Sequence, residues 1–266
     1  MRYVPAPGAE LATDIASDGE AIVFLHAGVA DRRMWAAQLA ALAPTHKIIA
    51  YDRRGFGQTR YVEQAHDWLD DLQRVLNAAD AERVVLVGCS QGGRIALNYA
   101  LAAPSRVRGL VLIASAVSGA PEPAFPADVQ ALSDAIQAAE NAGDVDLINA
   151  LEANAWLDGP QSVGGRVQGA ARALFIEMNG IALRAHDPGP MEDRFEDAYE
   201  RLGEISAPAL VVTCGRDFPH IQERDRYSAQ ALQHSTLVGL PDCAHLPSLE
   251  QPERVTALLA DFLKTL

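Results

Sequence analysis

The stretch VVLVGCSQGG, residues 84–93, joins an apolar run to a turn that is rich in glycine. Its first six residues are almost continuously apolar, which is typical of a strand buried on both faces of a parallel sheet. Residues 93–103 follow with apolar side chains spaced for one face of a helix. Small residues at 88 and 92 allow a tight, strained strand-to-helix turn, which makes the Ser90 hydroxyl project above the sheet. The pattern G-x-S-x-G in this setting therefore predicts a nucleophilic serine.

Similar apolar runs on both sides of this stretch predict the rest of a parallel sheet. They lie at residues 21–26, 47–51, 109–114, 209–214 and 235–240. Residues 64–79 carry apolar side chains at the i, i+3, i+4, i+7 spacing of a helix, and residues 253–263 predict a final amphipathic helix. Strands and helices in this alternation predict βαβ units with right-handed crossovers. The expected fold is therefore α/β, with a mostly parallel, doubly wound sheet.

The strand pattern is interrupted between residues 117 and 207. This segment opens with a stretch rich in proline and glycine, and helices are predicted at 128–141, 145–156, 166–184 and 191–202. An insertion of about ninety residues is long for a loop, and such insertions are usually functional lids or caps. We therefore predict one core domain in two pieces, residues 1–116 and 208–266, with a helical cap over residues 117–207.

Composition excludes several classes of protein. The 266 residues are 49% hydrophobic and 21% charged, which gives ample material for a core and excludes disorder as the main state. A net charge of −13 makes nucleic acid and anionic membranes unsuitable partners. Three cysteines do not form a disulfide scaffold, and no signal peptide or membrane-spanning run is recognisable. We expect a cytoplasmic monomer or homodimer with no nucleic-acid or membrane partner.

A serine nucleophile needs a base, because its hydroxyl is weakly nucleophilic at neutral pH. His245 is the candidate, in the loop between the last strand and the final helix, which can reach the sheet edge that carries Ser90. His26 is the alternative, but it ends the first buried strand and is expected to brace a loop. Asp217, just past the run 209–214, is the predicted acid that orients the base. Asp225 is a weaker choice because it falls within a predicted helix.

A tetrahedral intermediate carries an oxyanion that preplaced N–H donors must meet. One donor is expected from the backbone of Gln91, the residue after the nucleophile. The second is expected from the loop after the first buried strand, at Gly28, with Val29 next in line; alternatively this loop is a simple strand-to-helix turn. No H-E-x-x-H, C-x-x-C or dinucleotide-binding motif occurs in the sequence, so we expect neither a metal nor an organic cofactor.

Taken together in this order, these segments resemble the α/β-hydrolase family, specifically its small cap-bearing esterases and lactonases. The matching pieces are HAG at 26–28, DRRGFGQT at 52–59, GCSQGG at 88–93, GRD at 215–217 and AHLPSLEQPERV at 244–255. The order serine, aspartate, histidine is that of α/β-hydrolases, and differs from the order in chymotrypsin and in subtilisin. We interpret Asp52 and Arg54 as a structural ion pair that fixes loops near the site.

The predicted reaction is acyl transfer from an ester to water. Ser90 attacks the carbonyl, His245 accepts the proton, and Asp217 holds the imidazole. The substrate is expected to be a small to medium, fairly apolar ester. Large apolar side chains on the Gly28 loop and in the predicted cap are candidates for its pocket, although each also suits packing of the cap onto the core. They are Val29, Met34, Trp35, Phe125, Trp156, Phe175 and Met178.

Several alternatives stay open at this point. Within hydrolysis, the chain resembles 3-oxoadipate enol-lactonases weakly, so a lactonase or a C–C bond hydrolase is the second interpretation. Perhydrolase activity uses the same serine triad and also stays open. Haloalkane dehalogenases and epoxide hydrolases attack with an aspartate, which Ser90 replaces here. The alternative of another class is a non-catalytic receptor for a small molecule, built on the same fold.

Overall fold

A computed structural model describes residues 1–195 and 197–266, and these hold one nine-stranded sheet. The strands are β1 (Arg2–Ala6), β2 (Ala9–Ala16), β3 (Ala21–Leu25), β4 (Lys47–Tyr51), β5 (Arg60–Tyr61), β6 (Val84–Cys89), β7 (Val107–Ile113), β8 (Ala209–Cys214) and β9 (Ser235–Leu240). Their order is β1-β2-β4-β3-β6-β7-β8-β9, with β5 beside β2. Pairing is parallel from β4 to β9 and antiparallel among β1, β2, β4 and β5. The predicted mostly parallel sheet is confirmed.

Helices connect the strands. They are α1 (Ala36–Leu42), α2 (Trp68–Ala78), α3 (Gln91–Ala102), α4 (Ala127–Ala142), α5 (Val145–Glu152), α6 (Ala170–Leu183), α7 (Ala198–Arg201), α8 (Pro219–Ala231), α9 (Pro247–Glu250) and α10 (Pro252–Leu263). A π-helix, Ala153–Asp158, continues directly from α5. Across residues 1–195 and 197–266, no helix has both the length and the apolar composition that crossing a bilayer requires.

The sheet separates two hydrophobic cores. Alternate side chains of a strand point to opposite faces, so Ile22 and Phe24 of β3 pack in one core with residues of α1 and α10. Val23 and Leu25 pack in the other core with residues of α2 and α3. Burial on both faces explains why this strand is apolar at every position, and it makes the sheet doubly wound as predicted.

The hairpin of β1 and β2 was not predicted from the sequence. Only Val4 of β1 is buried, and Pro5 interrupts its pattern. Proline is tolerated at the edge of a sheet because it has no N–H to donate to a neighbouring strand. An edge strand that is mostly exposed therefore gives a weak hydrophobic signal.

Between β7 and β8, the described residues contain α4, α5, the π-helix, α6 and α7, so the segment is helical as expected. The helix predicted over 191–202 is wrong in its first part, since α7 begins only at Ala198. Met191 instead forms a bridge with His66, and the side chain of Asp193 accepts the N–H of Phe195 at 3.1 Å. Residue 196 of that prediction lies outside the described residues. The division into core and cap stays a prediction.

Candidate active site

Ser90 lies at the turn between β6 and α3 with a φ of 53° and a ψ of −117°. Positive φ is costly for a residue that has a side chain, and such strain is concentrated at functional sites. The neighbouring glycines are required by close packing. A Cβ on Gly92 would meet the carbonyl of Leu25, and one on Gly93 would meet the side chain of Ser115. The turn is therefore as tight as the sequence predicts.

His245 and Asp217 lie together at the carboxyl ends of neighbouring parallel strands, after β9 and β8. Nδ1 of His245 is 2.7 Å from Oδ2 of Asp217, and both residues are buried. The other carboxylate oxygen accepts the N–H of Phe218 at 2.7 Å, which fixes the carboxylate plane. A proton on Nδ1 donates to the carboxylate, so the lone pair of Nε2 is available to accept a proton. This pair has the geometry of an oriented general base.

The loop of His245 lies against the strand that carries Ser90. Sγ of Cys89 donates to the carbonyl of His245 at 3.4 Å. Among the hydrogen bonds of the described residues, none joins Oγ of Ser90 to the His245 ring. Catalytic hydrogen bonds are often long without substrate and tighten when it binds. The structure thus brings the loops of Ser90, Asp217 and His245 together.

The rival residues are held by other contacts. Nδ1 of His26 lies 2.7 Å from the carbonyl of Ala27, and Nε2 accepts the N–H of Arg53 at 3.1 Å. Burial lowers the pKa of His26 well below its ordinary value, so the ring is neutral and braces its loop. Oδ1 of Asp225 accepts the N–H of Ser115 at 3.2 Å, and burial raises the pKa of this carboxyl well above its ordinary value.

Gly28 and Gln91, the predicted oxyanion donors, are neighbours in space. The side-chain amide of Gln91 lies over Gly28, where an added Cβ would be 2.7 Å from Cδ of Gln91. Gln91 is the first residue of α3, and the first N–H groups of a helix have no acceptor within it. Among the described residues, neither backbone N–H donates to a protein acceptor. Both are available to an anionic oxygen.

The predicted ion pair between Asp52 and Arg54 is wrong. Arg54 donates to Asp71 of α2 at 2.8 and 2.9 Å. Asp52 pairs with Arg32 and also accepts the N–H of Gln58 at 2.8 Å. The Asp52 carboxylate thus holds the turn between Asp52 and Gln58 and also bonds to Arg32, in the segment after the Gly28 loop, while Arg54 faces α2.

The predicted pocket residues separate into two groups. Four are at most 1% exposed and lie in the core shared by the sheet and the insertion, as the packing alternative expects: Met34, Trp35, Phe175 and Met178. Three are half-buried at the edge of that core, and their role as pocket residues stays a prediction: Val29, Phe125 and Trp156.

Trp156 contacts His245 through both its ring and its backbone. The two ring centroids are 4.7 Å apart, and the Trp156 carbonyl accepts the N–H of His245 at 3.2 Å. In a continuing π-helix this carbonyl would accept the N–H of residue 161, five residues on, but the π-helix ends at Asp158. The end of the π-helix therefore leaves the carbonyl available to the histidine loop.

Sequence reasoning missed two aromatic residues beside the site, Phe218 and His220. Their ring centroids are 5.6 Å apart, and Phe218 is 4.5 Å from the ring of Trp156. Burial lowers the pKa of His220 to about 4. Their position directly after Asp217 could have indicated them, because residues that follow a catalytic acid lie at the same sheet edge.

Arg166 was also missed as a contact of the histidine loop. It pairs with Glu250 and donates to the carbonyl of Asp242 at 3.2 Å. Glu250 in turn accepts the N–H of Ala244 at 2.8 Å. These partners are remote from Arg166 in the chain, and no sequence pattern links them. The insertion is therefore fastened to the loop that carries His245.

A cavity of about 310 Å³ opens beside Gln91, between the core and the insertion. Its walls include Phe56, Trp68, His66 and His186. A larger hollow of about 880 Å³ lies at residues 76–77, 80–83 and 105–106, at the opposite end of the sheet from Ser90. Within the described part of the chain, no cluster of three or more His, Cys, Asp or Glu side chains is placed to hold a metal ion.

Comparison with known proteins places this geometry in a family. The chain is 26% identical over 248 residues to 3-oxoadipate enol-lactonase 1 of Acinetobacter baylyi, covering 92% of this chain and 89% of that one. It is 31% identical over 256 residues to RutD of Variovorax paradoxus, named as a carbamate hydrolase, covering 93% and 92%. A thermophilic esterase from Thermogutta terrifontis superposes with a TM-score of 0.76 at 25% identity, covering 99% and 96%.

The family model described as the alpha/beta hydrolase family matches residues 22–258. The match begins within β3 and includes the strands from β4 to β9, the serine turn and the histidine loop. The predicted fold and enzyme class are confirmed, and the chain belongs to the alpha/beta hydrolase family.

Proposed function

We propose that this hydrolase cleaves carboxylic esters of small to medium, fairly apolar substrates through an acyl-enzyme on Ser90. The observation that carries the proposal is the buried pair of His245 and Asp217, 2.7 Å apart, with the His245 loop packed against the strained serine turn. A nucleophile, a base and an orienting acid are the parts that acyl transfer requires.

Acylation follows from this placement. Oγ of Ser90 attacks the ester carbonyl while Nε2 of His245 takes its proton, and Asp217 stabilises the resulting imidazolium. The carbonyl oxygen becomes an oxyanion and accepts hydrogen bonds from the N–H groups of Gly28 and Gln91. Collapse of the tetrahedral intermediate breaks the bond to the alcohol oxygen, which takes the proton from His245 and leaves.

Deacylation repeats these steps with water. His245 removes a proton from water as the oxygen attacks the acyl carbon, and the same donors hold the second oxyanion. Collapse then releases the carboxylic acid and returns the proton to Oγ of Ser90.

The surroundings of the site support an apolar substrate. The ring of Trp156 packs on His245 and the ring of Phe218 packs on Trp156, and the cavity beside Gln91 has walls of Phe56 and Trp68. Ligand pockets of this kind are mostly apolar with a few convergent polar groups. Residues 117–207 would act as the cap over this space.

The decisive test is the variant Ser90→Ala, assayed with p-nitrophenyl butyrate. We expect kcat to fall by about 10⁴-fold or more, because no other group supplies the nucleophile. Ser105→Ala, at an exposed position, is the matched control and should keep the wild-type rate. A fluorophosphonate should label the wild type and not Ser90→Ala.

Near-wild-type turnover by Ser90→Ala would show that the nucleophile is elsewhere. A wild-type chain that hydrolyses none of the substrates and is not labelled would instead favour the receptor alternative.

Lactone hydrolysis is the second candidate, favoured by the enol-lactonase relative that matches 92% of this chain. A lactone is a cyclic ester, so the same steps apply and the alcohol stays attached to the acyl group. We would compare kcat/KM for p-nitrophenyl esters of rising chain length, for γ-lactones and for a p-nitrophenyl carbamate. Preference for lactones over the best ester by tenfold or more would replace the first proposal with the second.

A further inference from the structure

Arg53 is a buried cation without a carboxylate partner among the described residues. It is 2% exposed, and none of their carboxylates lies within 4.0 Å of its guanidinium nitrogens. The residues on either side differ, since Asp52 pairs with Arg32 and Arg54 pairs with Asp71. Burying an unpaired charge is costly, so other contacts must hold this guanidinium in place.

Those contacts converge on the two segments that carry the proposed oxyanion donors. Nη1 donates to Oε1 of Gln91 at 2.7 Å, and Nη2 donates to the carbonyls of Ala27 at 3.0 Å and of His26 at 3.2 Å. The guanidinium carbon also lies 4.7 Å from the ring centroid of Phe56, and 5.2 Å from that of Trp68. Aromatic faces stabilise a cation at these distances.

The bond to Ala27 reaches Gly28 through covalent structure. The Ala27 carbonyl and the Gly28 N–H belong to the same planar peptide unit. This carbonyl accepts from Arg53 and also from Nδ1 of His26, at 2.7 Å. Hydrogen bonds polarise one another along a chain, so a cation on the carbonyl oxygen makes the N–H of that peptide a stronger donor.

We propose that Arg53 is a positioning residue for the oxyanion hole: it fixes the Ala27 carbonyl and the Gln91 side chain, and its charge strengthens the Gly28 N–H. The inference rests on the proposed function, because it presumes an oxyanion formed by attack of Ser90. The full negative charge exists only in the transition state and the tetrahedral intermediate. Loss of Arg53 therefore lowers kcat and leaves KM nearly unchanged.

The test uses two variants of the full chain. Arg53→Met removes the charge and all N–H donors of the side chain, whereas Arg53→Gln removes the charge and keeps two N–H donors. We would measure kcat and KM with p-nitrophenyl butyrate, and inhibition by a trifluoromethyl ketone, whose serine adduct carries an oxyanion. A methyl ketone of the same chain, which stays planar, reports binding before attack.

For Arg53→Met we expect kcat to fall by about 10²-fold, the loss typical of one oxyanion donor, with KM within about twofold. Affinity for the trifluoromethyl ketone should fall by a similar factor, and affinity for the methyl ketone should not change. For Arg53→Gln, kcat and the affinity for the trifluoromethyl ketone should lie between those of Arg53→Met and the wild type. Arg108→Met, at the other end of β7 from the site, is the control for removing a charge.

Three outcomes would overturn the inference. One is a kcat for Arg53→Met within about threefold of the wild type. Another is a fall in kcat with unchanged affinity for the trifluoromethyl ketone, which would mean general damage. The third applies where thermal unfolding shows that Arg53→Met does not fold. Arg53→Gln then decides, and a wild-type kcat together with wild-type affinities for both ketones would overturn the inference. Activity in Ser90→Ala would instead contradict the proposed function itself.

Discussion

The two sides of Ser90 are built from different kinds of contact. Towards β3 and β4, hydrogen bonds from Arg53 hold the Gly28 loop and the side chain of Gln91. Towards β8 and β9, the ring and the carbonyl of Trp156 in the insertion contact His245, and the ring of Phe218 packs on Trp156. Hydrogen bonds that a planar guanidinium donates fix direction as well as distance, whereas packed rings fix mainly volume. The side of the proposed oxyanion donors, here the oxyanion side, is therefore positioned by the core, and the side of His245, here the histidine side, depends on the insertion.

The largest effect that tests this comparison is expected on the histidine side. Asp217→Asn should lower kcat by about 10⁴-fold, because an amide can donate to Nδ1 and stabilise the wrong tautomer of His245. Asp225→Asn is the matched control, since this second buried carboxyl bonds to Ser115 and not to His245. Kinetics with p-nitrophenyl butyrate measure both variants. An equal loss in Asp225→Asn would contradict the assignment of Asp217.

A smaller effect is expected on the oxyanion side. Gly28→Ala would place a Cβ 2.7 Å from Cδ of Gln91, which forces that side chain away from Arg53. A displacement of about 1 Å near the reacting atoms can cost about 10²-fold, so we expect a loss of that order in kcat. The double variant Gly28→Ala with Gln91→Ala removes the clash and should recover part of the rate.

Gly239→Ala is the matched control for this replacement, because an added Cβ there has no heavy atom within 4 Å. A double variant no faster than Gly28→Ala alone would show that contact with Gln91 is not the cause of the loss.

The smallest effect concerns stability on the histidine side. The folded pKa of His220, about 4, lies below the ordinary 6.5, so between these values the unfolded chain binds a proton that the folded chain does not. The free energy of unfolding therefore decreases as pH falls from 6.5 towards 4. His220→Phe removes this term and keeps an aromatic ring, so Tm should fall less between pH 7 and pH 4.5 than in the wild type.

The same replacement at the exposed His234 is the control and should retain the wild-type decline. Identical declines in His220→Phe and the wild type would mean that His220 is solvated in the folded protein.

Sequence predicted the parts of the fold that are buried on both faces. The strand β6 and its parallel neighbours were found because complete burial leaves a continuous apolar run. The helix predicted from residue 64 begins instead at Trp68, where the side chain of Asp67 accepts the N–H of Leu69 at 2.6 Å. The β1–β2 hairpin was missed because an exposed edge needs few apolar residues.

The candidate site also has a part that the sequence predicted and a part that it did not. Ser90, Asp217 and His245 were predicted because each follows a recognisable strand, and parallel strands bring their carboxyl ends to one edge. The partners of Arg53 and Arg54 were not predictable, because consecutive side chains in a turn point in directions that only the folded backbone defines. For that reason the predicted pair of Asp52 with Arg54 is wrong, and Arg54 pairs with Asp71 instead.

The Trp156 carbonyl, left without a helical partner where the π-helix ends, limits how freely the insertion can be exchanged. It supplies a hydrogen bond to the backbone of His245, so a chimaera with a foreign segment in place of residues 117–207 must provide an acceptor at that same point. Without one, the histidine loop would lose a restraint even if the new segment packed well. Changes of substrate range that come from replacing the whole insertion are thereby coupled to the rate of the chemical step.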